Sequence, residues 1–311
     1  MLRRLALAAT LSLIAALPAR AEPVTLLLDW FVNPDHGPII VAQQKGWFKD
    51  AGLEVEIVAP ADPNDPPKLV AAGKADLAVT YQPQLTLFAD QGLPLVRIAT
   101  LVATPLNSLV VLADGPVKSL ADLKGRKIGY SVGGFEDALL KEMLGRQGLK
   151  LDDVALVNVN FSLSPALFTG QVDAVIGAFR NFELNQMAIE GKPGRAFFVE
   201  EEGVPVYDEL VVVTHRDRLG KPALARFVQV VERATLYTLN HPAEAWDAFK
   251  GYDKALDNEL NRRAWADTLR RFNASPASLD PARYARFAAF LKKQGLIKTE
   301  PKTSDYAVTL P

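Results

Sequence analysis

Two stretches of the chain, LVAAGKADLAVTY at residues 69–81 and ALFTGQVDAVIGA at residues 166–178, follow one pattern. Each has an apolar helical segment, then Gly-x-x-Asp, then a run of apolar and β-branched residues typical of a buried strand. The glycine and the aspartate of the first stretch precede their counterparts in the second by 97 residues. Glycine can end a helix in the left-handed conformation and aspartate can organise the following turn, so we assign both residues a structural role. The repetition predicts two similar halves.

The segments that precede each stretch also correspond. In the first half they are a strand at 24–29 and a helix at 38–50, and in the second half a strand at 127–131 and a helix at 135–146. Each half is therefore a strand–helix–strand–helix–strand unit, which predicts a parallel sheet with helices on both faces. Residues 221–311 have apolar residues at helical spacing and are predicted to be mostly helical.

Two further apolar strands, at 107–115 and 207–217, bracket the second half without a flexible Ser/Gly linker, so we expect them to cross between the halves. The predicted fold class is α/β, with two lobes that are mostly parallel sheets flanked by helices and joined by two crossing strands. We expect the lobes to close about these strands, near 109–113 and 209–214. The predicted organisation is a signal peptide at 1–21, the first part of lobe 1 at 22–112, lobe 2 at 113–209, and a return to lobe 1 with C-terminal helices at 210–311.

The N-terminal residues have the pattern of a secretory signal. Arg3 and Arg4 precede an apolar run at 5–17, and Ala19-Arg20-Ala21 resembles a cleavage site, so we expect cleavage after Ala21 and a periplasmic location. The chain has no cysteine, which excludes lipid attachment, disulfides and thiolate catalysis. Without residues 1–21 the chain has 32 basic and 36 acidic residues, a formal charge of −4. This charge offers no basic field for nucleic acid.

Aromatic and polar side chains follow the predicted strands. In open parallel sheets, ligands bind beyond the carboxyl ends of the strands. If the two lobes face each other, loops at these ends line a shared cleft from both sides. The candidate ligand-binding residues are Trp30, Asn33, Asp35, His36, Tyr81, Ser131, Gly133, Gly134, Phe135, Asn160, Phe179, Glu183 and Tyr207.

Several of these residues also have a purely structural interpretation. Asp35 fits the N-cap of a helix that begins at residue 37, and His36 fits a turn. Glu183 could pair with Arg180 instead of a ligand. The segment 131–134 could hold an anion with its backbone amides or allow a flat ring to approach closely. The sequence leaves these alternatives open.

Five motifs carry a resemblance to a known family. They are LDWFVNPDHGP at 28–38, AVTYQPQL at 78–85, SVGGFE at 131–136, GAFRNFE at 177–183 and PVYDELVVVT at 205–214. The sequence resembles the periplasmic substrate-binding proteins of ABC importers, type II, in the thiamine-pyrimidine branch that also includes eukaryotic pyrimidine synthases. This resemblance covers nearly the whole chain after residue 23.

The resemblance implies a monomeric solute-binding protein with a formylaminopyrimidine as ligand, an ABC permease as partner, and no cofactor or metal. Riboflavin and alkylsulfonate binders are similar in fold and stay open as alternatives. A planar aminopyrimidine suits the candidate residues, because Trp30 or Tyr81 can stack on its face and Glu183 can accept from its amine. Asn33 and Asn160 offer both donors and acceptors.

An enzyme is the alternative of a different class. The synthases of this branch use a cysteine-rich stretch together with a histidine, whereas this chain has no cysteine. Its three histidines, His36, His215 and His241, lie in separate contexts without metal-ligand spacing, and no Gly-x-Ser-x-Gly motif occurs. The sequence therefore predicts binding without catalysis.

Overall fold

The computed structural model describes residues 21–311, so the predicted signal peptide lies almost entirely outside the described residues. Within this range no helix is both long enough and apolar enough to cross a membrane. The described residues form two β-sheets with helices packed around them. This architecture confirms the predicted two-lobe α/β fold.

Each sheet has five strands. The ten described strands are β1 (Glu22–Leu27), β2 (Leu53–Val58), β3 (Leu77–Thr80), β4 (Leu95–Val102), β5 (Asn107–Leu112), β6 (Lys127–Tyr130), β7 (Ala155–Asn158), β8 (Ala174–Phe179), β9 (Gly194–Phe198) and β10 (Leu210–His215). The order is β2-β1-β3-β10-β4 in the first sheet and β7-β6-β8-β5-β9 in the second. We call each sheet with its helices a lobe.

Both sheets are mostly parallel, as predicted. In the first lobe β1 pairs in parallel with β2 and β3, while β10 lies antiparallel between β3 and β4. In the second lobe β6 pairs in parallel with β7 and β8, and β5 is antiparallel to both β8 and β9. All residues of β3 and β4 are buried, as expected for strands covered on both faces.

Twelve α-helices surround the sheets in the described part of the chain. They are α1 (Gly37–Gln44), α2 (Trp47–Asp50), α3 (Pro66–Ala71), α4 (Gln82–Asp90), α5 (Phe135–Gly145), α6 (Leu163–Phe168), α7 (Glu183–Ile189), α8 (Pro222–Asn240), α9 (Pro242–Lys250), α10 (Glu259–Thr268), α11 (Pro281–Lys293) and α12 (Thr303–Tyr306). The helix predicted at 38–50 is divided, because Gly46 adopts a left-handed φ of 73° between α1 and α2.

The repeated Gly-x-x-Asp pattern has the predicted structural role in both lobes. Gly73 and Gly170 have φ of 72° and 70° and follow the ends of α3 and α6. The carboxylate of Asp76 accepts the backbone N–H of Thr25 in β1 at 2.9 Å, and that of Asp173 accepts the N–H of Lys127 in β6 at 3.0 Å. Each aspartate therefore ties the new strand to the strand beside it.

The chain passes between the lobes slightly earlier than predicted. The strand β5 pairs only with strands of the second sheet, and β10 only with strands of the first. The crossings are therefore the segments that precede these strands, 103–106 and 199–209. The predicted hinge positions near 109–113 and 209–214 were wrong, because those residues lie almost entirely within β5 and β10. The two crossings contact each other through Glu209, which accepts the N–H groups of Leu106 and Asn107 at 2.6 and 2.9 Å.

The C-terminal part of the chain is anchored to the first sheet by one buried arginine. Arg97 in β4 is fully buried, and its guanidinium donates to the carbonyl oxygens of Pro276 at 3.1 Å and Val308 at 3.3 Å. Residues far apart in sequence therefore depend on one side chain at the centre of the first lobe.

Candidate functional site

A narrow pocket lies between the lobes, at the carboxyl ends of β1, β3 and β8. Its empty volume is about 400 Å³, which includes the part open to solvent. The first lobe contributes Asp29, Trp30, Asn33, Asp35 and Tyr81, and the second contributes Val132, Glu136, Leu163, Gly177, Phe179, Phe182 and Glu183. We call this space the inner pocket.

The turn after β1 is built by Asn33 and His36. The side chain of Asn33 accepts the backbone N–H of Asp35 at 2.8 Å, and Nδ1 of His36 accepts the N–H of Asn33 at 3.3 Å. Because Nδ1 is an acceptor, the ring donates from Nε2 to the Asp29 carboxylate, 2.8 Å away. His36 therefore orients Asp29 and does not line the pocket itself.

The Tyr81 hydroxyl donates to the second oxygen of Asp29 at 2.9 Å. The Tyr81 ring stacks on Phe135 with centroids 4.9 Å apart and planes at 29°. Phe135 is thus a support for Tyr81 and does not line the pocket. Burial, followed by the nearby Asp29 carboxylate, raises the pKa of Tyr81 well above its ordinary value, so the hydroxyl stays a donor.

Trp30 is the half-buried aromatic wall of the first lobe. Its ring packs edge-on against Phe161 of the second lobe, with centroids 4.6 Å apart, and lies 5.6 Å from Phe31. It also lines the inner pocket. Because both lobes contribute to this aromatic contact, any change in the distance between the lobes changes the surroundings of the indole.

Asp35 presents one free oxygen in the pocket wall. Its Oδ1 accepts from Asn181 at 2.6 Å and from Thr268 at 3.2 Å, while Oδ2 is buried and has no hydrogen-bond partner among the described residues. Burial raises the pKa of Asp35 to about 6. The helix-capping interpretation of Asp35 was wrong, because the N-cap position of α1 is His36 and no side chain bonds there, while Asn33 caps the 3-10 turn before it.

Glu136 is held at the start of α5 by two backbone donors. Its Oε2 accepts the N–H groups of Ser131 at 2.9 Å and Val132 at 3.2 Å. Burial raises the pKa of Glu136 well above its ordinary value. The carboxyl group fits because Gly177 has no side chain: a Cβ there would lie 2.8 Å from Cδ of Glu136.

Glu183 is the fourth acid of the pocket. Its Oε2 accepts the N–H of Phe179 at 2.6 Å, which leaves Oε1 for a ligand. Burial raises the pKa of Glu183 to about 8. The alternative pairing with Arg180 was wrong, because that guanidinium pairs with Glu200 at 2.6 Å.

The pocket is therefore acidic and aromatic. Four carboxyl groups line it, and none of the described lining residues is a lysine, arginine or histidine. A buried carboxyl group is stabilised by a proton, by donors or by a positive charge. The arrangement suits a flat ring rich in hydrogen-bond donors, neutral or positively charged, and disfavours an anion.

Seven of the predicted site residues do not line the inner pocket. His36 and Phe135 support lining residues, and Ser131 donates its backbone N–H to Glu136. Tyr207 lies at the hinge, where its hydroxyl donates to Glu209 at 3.1 Å and its ring packs on Phe287. The other three, Gly133, Gly134 and Asn160, lie in loops of the second lobe. The six that do line it are Trp30, Asn33, Asp35, Tyr81, Phe179 and Glu183.

Other lining residues were missed at the sequence level. Asp29, Glu136 and Phe182 are each next to a predicted residue, inside the motifs that carried the resemblance. An acid directly after a buried strand was an available signal for Asp29. Leu163 and Val132 gave no signal, because apolar residues in such positions are ordinary core residues.

The two lobes contact each other at both sides of the cleft. On one side, Asn64 of the first lobe donates to the carbonyl of Ser131 and accepts the N–H of Gly133, both at 3.1 Å. On the other side, Asn181 of the second lobe donates to Asp35 and to Thr268, both at 2.6 Å. The described arrangement is therefore a closed one.

Comparisons with known proteins connect this geometry to a family. The family model described as NMT1/THI5 like matches residues 33–245. A putative thiamine biosynthesis protein of Haemophilus influenzae is 54% identical over 302 residues, 96% of each chain. The formylaminopyrimidine-binding protein of Halalkalibacterium halodurans is 35% identical over 226 residues, which is 72% of this chain and 68% of that protein.

More distant relatives and solved structures extend the comparison. A 4-amino-5-hydroxymethyl-2-methylpyrimidine phosphate synthase of Saccharomyces cerevisiae is 27% identical over 266 residues, 82% of this chain and 78% of the yeast protein. The alkanesulfonate-binding protein of Xanthomonas axonopodis pv. citri, solved with MOPS, superposes with a TM-score of 0.73 at 15% identity. The superposition covers 94% of this chain and 99% of the Xanthomonas protein, and it shows that the fold is that of the periplasmic binding proteins.

Proposed function

This chain belongs to the NMT1/THI5-like family, and from that premise we propose that it is the solute-binding component of an ABC importer for a thiamine-precursor pyrimidine. In this proposal the protein captures a formylaminopyrimidine in the periplasm, closes its lobes on it and delivers it to a membrane permease. Export by cleavage of residues 1–21, and action as a monomer, are parts of the same proposal.

The observation that carries the proposal is the composition of the inner pocket. Aromatic rings from both lobes, Trp30 and Phe179 among them, offer faces for stacking on a planar heterocycle. Glu183 presents a carboxyl group that can pair with an exocyclic amine and the adjacent ring nitrogen. The relative that is 35% identical and is named for binding formylaminopyrimidine supports this ligand class.

Transport by lobe closure is supported by the contacts across the cleft. Asn64 and Asn181 can bond across the cleft only when the lobes approach each other. Ligand contacts made by both lobes stabilise the same closed state. The segments 103–106 and 199–209, joined through Glu209, are the proposed hinge.

The alternative ligands fit the pocket less well. A sulfonate carries a full negative charge, and the described lining offers it four carboxyl groups and no cation. A three-ring flavin is longer than one pyrimidine ring and would have to extend beyond the inner pocket.

The alternative function of a different class is that of a pyrimidine synthase, the activity for which the yeast relative is named. The chain has no cysteine, and His36, next to the pocket, is bound between Asn33 and Asp29. Both of its ring nitrogens are engaged in the turn. A histidine that donates its own atoms to a reaction would need a free ring nitrogen.

Calorimetric titration of the purified mature protein with formylaminopyrimidine tests the proposal. We expect one ligand per chain, a change in tryptophan emission from Trp30, and a retained small molecule in native mass spectra of the protein as purified. No binding heat and no emission change would refute this ligand. Formation of a pyrimidine from pyridoxal phosphate by the purified protein would instead establish a synthase.

A further inference from the structure

A second chamber opens next to the inner pocket, on the side of α10. Leu163, Phe182 and Glu183 line both this chamber and the inner pocket, so the two spaces are adjacent. Its empty volume is about 930 Å³, including open solvent, more than twice that of the inner pocket. We call it the outer chamber. A single pyrimidine ring in the inner pocket leaves this space unused.

Three phenylalanine rings surround the outer chamber. Phe31 lies 5.8 Å from Phe182 and 6.5 Å from Phe161, measured between ring centroids. Phe31 belongs to the first lobe and the other two to the second. Phe31 is 43% exposed, which is unusual for a large apolar residue of this protein. Exposed apolar surface at the mouth of a cleft is typical of a binding surface.

The polar groups of the chamber show which chemistry it favours. Ser164 is 1% exposed, lines the chamber, and its hydroxyl has no hydrogen-bond partner among the described residues. A buried hydroxyl without a partner costs free energy that a ligand atom can recover. The described lining has one carboxyl group, Glu183, and no lysine, arginine or histidine. These groups favour a neutral or cationic occupant over an anionic one.

We propose that the outer chamber binds a second flat ring, positively charged, that is joined to the pyrimidine in the inner pocket. The inference rests on the proposed function and extends its ligand class from one ring to two. Aromatic faces attract a cation through their quadrupole, and three such faces without a basic group among them favour a cationic heterocycle. The three residues that line both spaces place the chamber directly beside the inner pocket, the position that a ring joined by a short linker needs.

Two ligands that differ only in the second ring test this inference. Thiamine carries the same type of aminopyrimidine joined through one carbon to a cationic thiazolium ring, and 4-amino-5-hydroxymethyl-2-methylpyrimidine lacks that second ring. Isothermal titration measures Kd of both ligands for the wild type and for Phe31→Leu and Ser164→Ala. Phe31→Leu keeps an apolar side chain and removes the aromatic face. Leu236→Ala, at an apolar residue that is 45% exposed on α8, is the control.

We expect the wild type to bind thiamine at least as tightly as the single ring. Phe31→Leu should weaken thiamine about five- to thirtyfold, the range of one cation–π contact, and should change Kd of the single ring less than about twofold. Ser164→Ala should weaken thiamine more than the single ring, and Leu236→Ala should change neither.

The other outcomes overturn the inference in distinguishable ways. If the wild type binds the single ring but not thiamine, or if Phe31→Leu weakens both ligands equally, the outer chamber is not a subsite and the proposed function stands. If the wild type binds neither ligand, the inference fails, and the titration with formylaminopyrimidine decides separately whether the proposed function stands.

Discussion

Glu183 should make ligand binding depend on pH, and Glu183→Gln should remove that dependence. Burial raises the pKa of Glu183 from 4.5 to about 8, so the empty pocket holds a proton on this carboxyl group at neutral pH. An aminopyrimidine bound by its edge needs one proton between the carboxyl group and the ring nitrogen, wherever that proton resides. Binding therefore needs no proton uptake below about pH 8 and one proton above it.

The expected size follows from the pKa. Each pH unit above about 8 lowers the protonated fraction of Glu183 tenfold, so Kd should be roughly 30-fold higher at about pH 9.5 than at about pH 7. A glutamine carboxamide can donate to the ring nitrogen and accept from the amine, and it has no proton to lose. Glu183→Gln should therefore give a constant Kd over this range. At neutral pH it should weaken binding about fivefold, because a neutral pair replaces a charge-assisted one.

Isothermal titration with the single-ring pyrimidine checks both parts of this prediction. Titrations in two buffers with different ionisation enthalpies count the protons taken up on binding. Glu190→Gln is the matched control, because Glu190 is exposed and follows the end of the same helix, α7. It should behave as the wild type does. A wild-type Kd that stays constant up to about pH 9.5, or a Glu183→Gln variant with the wild-type slope, would refute the reasoning.

Three further predictions concern closure, packing and stability. Asn64→Ala removes two hydrogen bonds across the cleft, so it should weaken ligand binding about five- to thirtyfold and raise the radius of gyration of the empty protein in X-ray scattering. Gly177→Ala should lower the free energy of unfolding and raise Kd, because the new Cβ meets the Glu136 carboxyl group. Gly191 also has a positive φ but no atom near the position of a new Cβ, so Gly191→Ala should leave Kd unchanged. The free energy of unfolding of the empty protein should fall by up to about 5 kcal/mol as pH rises from 4.5 to about 8, because folded Glu183 keeps a proton that the unfolded chain releases. Urea denaturation at several pH values checks the sign, and the Glu183→Gln variant should lack this part of the pH dependence.

Local sequence patterns were sufficient to predict the fold and half of the candidate site. The 97-residue repeat identified both parallel sheets, because the turn chemistry of Asp76 and Asp173 lies within a few residues of each strand. Trp30 and Tyr81 were found because parallel strands end at the same edge of a sheet. The residues that support Tyr81, which are Asp29 and Phe135, are distant from it in sequence.

The remaining features depend on contacts between distant segments. Asp29 is bound by Tyr81, which is 52 residues further along the chain, and Asn64 bonds to Gly133, which is 69 residues away. No local pattern marks such pairs. Tyr207 was misassigned for the same reason, because an aromatic residue at the start of a strand can equally cover a hinge, as its bond to Glu209 shows.

The position of β10 constrains the time at which the protein can fold. This strand follows all the strands of the second sheet yet lies between β3 and β4, and Arg97 in β4 donates to the carbonyl of Val308, still further along the chain. A chain leaving the ribosome therefore cannot complete its first sheet until residue 215 has been made, although the other four strands of that sheet end by residue 102. The second sheet, whose last strand ends at Phe198, can therefore form while the first still lacks a strand in its interior.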